Sequence, residues 1–153
     1  MKENIPEWLR DSTRSSLIVA IIFTIINILF FVLNYDTYFL FSIFVPYILP
    51  IIFQETSLYI VSIGISVFIL LIYITLIILS KKNVMGYTIS LILYIIDTLA
   101  LIILGIIYEM TGELIIDYIF HGFIIWILIK GIKNYKNNLK KEAIKENNNI
   151  SEE

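Results

Sequence analysis

Apolar residues crowd into four stretches of this chain, at about 15–33, 58–80, 87–107 and 114–129, separated by short polar segments. A helix rising ~1.5 Å per residue needs ~20 such residues to cross ~30 Å of hydrocarbon, and the four stretches approach or reach that length. The ~10-residue alternation that marks a membrane β-barrel strand is absent. Helices, which satisfy their own backbone groups, are therefore the predicted spanning elements. A fifth apolar stretch, residues 38–53 (YFLFSIFVPYILPIIF), is shorter and contains Pro46 and Pro50. Those two prolines remove backbone donors and kink any helix that holds them. The pattern predicts an all-α integral membrane protein built as a four-span helical bundle.

Charge sets the expected topology. All eleven Lys and Arg residues fall within 2–14, 81–82 and 130–145. With four crossings those three places share one face, which the positive-inside rule makes the cytoplasm, giving an N-in/C-in arrangement. Reading 38–53 as a fifth crossing would put Lys81 and Lys82 outside or flip the amino terminus. It is therefore expected to be a re-entrant or interfacial segment on the external face. Residues 1–14 read as a cytoplasmic amphipathic lead in which Pro6 can open a helix and Trp8 and Leu9 can anchor at headgroup level. An uncleaved first span is expected over a signal peptide, because the apolar run is long and ends in FFVLNYD without a small-residue cleavage site. The transmembrane domain then occupies 15–130, and a cytoplasmic basic tail follows at 131–153. Lys133, Lys136, Lys140 and Lys141 on that tail suit anionic lipid headgroups, and its last residues lack the apolar content that would order them.

Composition agrees. With 59% hydrophobic residues, 16% charged residues and a mean hydropathy of +0.89, the chain lies outside the range of soluble domains. It has no cysteine, which excludes disulfides and thiolate metal ligands. The bias to Ile, Asn and Lys points to an AT-rich bacterial genome, and hence to a bacterial cell membrane. Basic residues stand only where topology needs them, so nucleic acid is not an expected partner.

Three titratable residues interrupt the third and fourth spans: Asp97, Asp117 and His121. Asp97 lies twelve residues before Glu109, at the centre of the connecting loop, and His121 twelve after it. In antiparallel helices equal offsets mean equal depth, so the acid and the imidazole are expected to face each other mid-membrane. Tyr87, Ser90, Tyr94, Asp97 and Thr98 recur at helical spacing and share one face. Glu113, Asp117 and His121, four apart, form a slanted acidic stripe, while Thr111 suits a helix cap. Asn27 is the strongly polar residue inside the first span. Ser62 and Ser66, with Gly64 between them, suggest close helix approach, as does Gly122 beside His121.

Three functions compete for the buried polar residues. They can set helix register; they can form a proton or cation pathway; or they can serve a hydrolase. The last lacks a GxSxG or HExxH motif and a nucleophile placed beside the base, so no catalytic residue and no enzyme activity is expected. One His without a second nitrogen or sulfur ligand is a poor metal site, and no cofactor is indicated. The expected role is a non-enzymatic accessory or interaction protein, immunity-like or subunit-like, acting on lipid, another membrane protein or a second copy of itself. The alternative is a proton or cation pathway through the Asp97–His121 pair.

Overall fold

The computed structural model describes residues 7–35, 37–80, 83–109, 112 and 114–150. Pro6, Lys81, Lys82, Thr111 and Glu113 lie outside the described residues, as do the side chains of Trp8 and Leu9. Five helices follow in order: α1 (Glu7–Val32), α2 (Phe44–Ile52), α3 (Tyr59–Leu79), α4 (Val84–Ile107) and α5 (Ile115–Ile150). Four of them contain segments long and apolar enough to cross a membrane: Thr13–Val32, Tyr59–Leu79, Val84–Ile107 and Ile115–Lys141. The protein is a small multi-pass helical membrane protein.

Local chemistry accounts for where these helices begin and end. Asn34 closes α1 in the left-handed conformation (φ 57°), while Tyr35 N–H donates to the Phe30 carbonyl and Asn34 N–H to that of Phe31. That is a Schellman closure, with Asn in the position where its short polar side chain tolerates positive φ. Glu109 (φ 57°) ends α4 similarly, its N–H donating to the Ile106 carbonyl. At the start of α4, the Asn83 side chain accepts the Met85 N–H at 2.9 Å, an ordinary N-cap. α5 continues past Ile129, the end of its apolar run, and is helical as far as Ile150. Extending an existing helix adds one hydrogen bond per residue without a new nucleus, which lets the polar tail carry on from the apolar run.

The shared core includes Leu17 and Ala20 of α1, Tyr73 of α3, Tyr94 of α4, and Ile124 and Leu128 of α5. On the outer faces Ile60, Phe68, Ile92, Ile96, Ile103 and Ile119 are exposed. Such apolar exposure on every long helix is what a lipid environment requires and water penalises. α3 and α4 meet tightly at Gly86, where an added Cβ would lie 2.5 Å from the Ser80 nitrogen and 2.7 Å from the Leu76 carbonyl oxygen. The two glycines the sequence marked for close packing behave otherwise. A Cβ at Gly64 or Gly122 would meet nothing within 4 Å, and both residues are exposed. Ser62 and Ser66 are buried, but their hydroxyls turn inward on their own helix, donating to the carbonyls of Tyr59 and Ser62. Their small size is used for burial and their polarity is absorbed locally.

Candidate polar site

α2 is nine residues long, and its opening turn explains the polar residues of the long helices. An α-helix begins with a turn of N–H groups that have no partner within the helix. In α2 these belong to Ile43, Phe44 and Val45, while Pro46 has no N–H to satisfy. Ile43 N–H donates to Thr24 Oγ1 at 2.7 Å. Phe44 N–H donates to Asp97 Oδ2 at 2.9 Å and Val45 N–H to Asp97 Oδ1 at 2.7 Å. Every donor of the first turn is thus taken by a side chain from α1 or α4. Pro46 belongs here because a proline in the first turn costs no hydrogen bond. Pro50 does cost one, since it has no N–H to give the Pro46 carbonyl.

The stretch leading into α2 is held in the same manner. Asn27 Nδ2 donates to the Phe39 carbonyl at 2.7 Å, and Asn27 Oδ1 accepts the Phe39 N–H at 2.6 Å. The Thr24 hydroxyl donates to the Ala20 carbonyl at 2.6 Å, which turns its lone pairs toward Ile43. Phe41 sits between these clamps with a left-handed backbone (φ 76°), unusual for a bulky residue and costing on the order of 1–3 kcal/mol. Its ring packs against Phe120 of α5, centroid to centroid 4.7 Å.

Asp97 also meets His121, with Nε2 and Oδ2 separated by 3.0 Å. Both side chains are almost fully enclosed, at 3% and 1% exposure. The other ring nitrogen, Nδ1, lies 2.8 Å from the Asp117 carbonyl. A carbonyl oxygen can only accept, so Nδ1 carries a proton. The Nε2–Oδ2 bond then needs a proton of its own, held either by His121 as imidazolium or by Asp97 as the acid. In both forms the pair is neutral overall. That removes the main penalty of burying a carboxylate in lipid. Tyr94 covers the imidazole, ring centroids 5.0 Å apart, and its buried hydroxyl has no hydrogen-bond partner among the described residues.

Asp117 is buried too, at 7% exposure, and the Phe41 backbone amide is directed at its carboxylate. It borders a cavity of about 480 Å³ between α2, α4 and α5, whose lining also includes Tyr38, Tyr47, Tyr108, Gly105 and His121. The cavity runs from Tyr108 and Leu114, beside the α4–α5 connection, to the imidazole. Beyond the imidazole, toward the α3–α4 connection, Tyr73, Tyr94, Ile124 and Leu128 fill the bundle. Space therefore lies on one side of the ion pair and solid packing on the other.

The structure brings Asp97, His121, Asp117 and Tyr94 together. Asn27 lies apart, as a clamp on Phe39 rather than a partner of the acids. Glu113 falls outside the described residues. Sequence reasoning missed Thr24, although its spacing of three from Asn27 places both on one face of α1. It also missed that Asp97 serves two backbone amides. No group of three His, Cys, Asp or Glu residues fit to hold a metal ion occurs among the described residues. Comparison of the chain with protein-family models, curated proteins and solved structures returns no match.

Proposed function

We propose that this protein is a proton- or cation-handling component of a membrane, with the Asp97–His121 pair as its exchange site. The observation that carries the reading is the 3.0 Å contact between Nε2 and Oδ2, placed at the inner end of a cavity. Intramembrane ionisable groups commonly mark ion paths. The topology that goes with this is N-in/C-in, with residues 38–53 re-entrant from the outer face and the cavity facing outward.

The link between protonation and structure runs through α2. Asp97 uses three acceptor positions of its carboxylate, two on backbone amides and one on the imidazole. A second proton on the pair, leaving Asp97 as the acid beside an imidazolium, would remove the negative charge that strengthens both amide bonds. Proton uptake and the seating of α2 are thereby opposed, which gives the pair a moving part.

The accessory role expected from the helix faces alone gives no task to the cavity or to Asp117, so it ranks second. Reconstitution into vesicles loaded with a pH-sensitive dye separates the two. An imposed potential should drive proton entry in the wild type, reduced to the empty-vesicle rate by Asp97→Asn or His121→Gln. Wild-type vesicles no leakier than empty ones would return the protein to the accessory reading.

A further inference from the structure

Charge balance around the cavity does not close. Two carboxylates, Asp97 and Asp117, are buried at its inner end. A single imidazole faces them, and it is committed through Nε2 to Asp97 and through Nδ1 to a backbone carbonyl. The charged side chain that acts on Asp117 is that same His121. His121 can balance one acid and not two. The cavity is therefore left with one carboxylate that needs either a proton or a cation.

The rest of the lining says which sort of cation. A small hard ion such as sodium or calcium requires several oxygen ligands. Among the described residues Asp117 is the only carboxylate in a lining made mainly of Ile, Leu, Phe and Tyr. Tyr38 and Tyr47 stack with their ring centroids 6.0 Å apart, and Tyr108 stands at the far end. Tyrosine faces attract weakly hydrated organic cations through the ring quadrupole. A volume of about 480 Å³ falls within the range that encloses drug-sized molecules.

We propose that this cavity binds a monovalent lipophilic organic cation, its charge set against Asp117 and its apolar bulk among Tyr38, Tyr47 and Ile48. Binding releases the proton that otherwise neutralises Asp117. This deepens the pathway reading by naming the class of cation, and it rests on that reading for any transport but not for binding.

Equilibrium dialysis of the full-length protein in detergent tests it, with tetraphenylphosphonium as the probe and tetraphenylborate as a probe of matched shape and opposite charge. Tetraphenylphosphonium should saturate near one per chain and bind at least about tenfold more tightly than tetraphenylborate. Asp117→Asn should weaken the cation by about tenfold or more and leave the thermal unfolding of the protein in place. Non-saturable uptake, equal affinity for the two probes, or an unchanged Asp117→Asn protein would each overturn the proposal. The probe comparison on the wild type decides the matter even if the variant fails to fold. Saturable cation binding without proton flux in vesicles would remove the pathway and keep this site. Flux without binding would do the reverse.

Discussion

Replacing Asp97 with leucine tests the arrangement more severely than any other single change. Leucine has the same branching and number of side-chain heavy atoms but accepts nothing, so the Phe44 and Val45 amides and the imidazole Nε2 all lose their acceptor. In a soluble core each stranded donor costs ~1–3 kcal/mol. Interhelical hydrogen bonds measured in membranes are weaker, averaging ~0.6 and reaching ~1.7 kcal/mol, and theirs is the appropriate scale. Three such losses put Asp97→Leu at about 2–5 kcal/mol of destabilisation. His121→Leu strands no backbone group, and with Asp97 neutralised by taking up a proton at low pH it should cost about 1–2 kcal/mol. The double variant Asp97→Leu/His121→Leu no longer leaves an imidazole without its acid, so it should be less damaged than Asp97→Leu. It should not regain wild-type stability, because the two α2 amides stay orphaned. Unfolding in mixed micelles of increasing dodecyl sulfate, followed by tryptophan fluorescence, orders the four proteins. If Asp97→Leu costs no more than His121→Leu, or the double variant equals the wild type, the acid is not the cap of α2.

Three further outcomes follow from individual contacts. Thr24→Val, which keeps shape and removes the acceptor of the Ile43 N–H, should cost about 1–2 kcal/mol in the same unfolding assay, and a neutral effect would dismiss it as part of the clamp. Gly86→Ala should destabilise by about 1–3 kcal/mol, because its Cβ would press on Ser80 and Leu76 backbone atoms that cannot rotate away; a variant as stable as the parent would mean α3 and α4 separate easily. Because the chain has no cysteine, single substitutions Glu109→Cys and Lys141→Cys report sidedness directly. An impermeant maleimide added to intact cells should label the first and spare the second, and the opposite result would invert the topology.

Much of the bundle was readable because lipid imposes one dominant rule. Long apolar runs must be helices, and their ends are marked by polar residues such as Asn34, Asn83 and Glu109. The meeting of Asp97 and His121 could be anticipated by counting from the turn, since antiparallel helices convert residue offsets into depth. What Asp97 does besides could not. Its amide partners lie 53 and 52 residues away in a short, doubly proline-containing helix, and nothing local in the sequence joins them. The cavity escaped for the same reason, being a space left among α2, α4 and α5 rather than a property of any one of them. Gly64 and Gly122 misled because small size permits close approach without demanding it; which face turns inward is decided by the bulkier neighbours.

The dependence of α2 on later helices has a consequence for how the molecule is made. Ribosomes deliver Phe44 and Val45 well before Asp97, and until α4 emerges those amides have only water to satisfy them. On the proposed re-entrant placement, the nascent segment has to wait at the bilayer surface and reaches its final position only once α4 is in place. A chain arrested before residue 97 should leave a cysteine at Val45 open to an aqueous reagent, and one arrested after residue 130 should shield it.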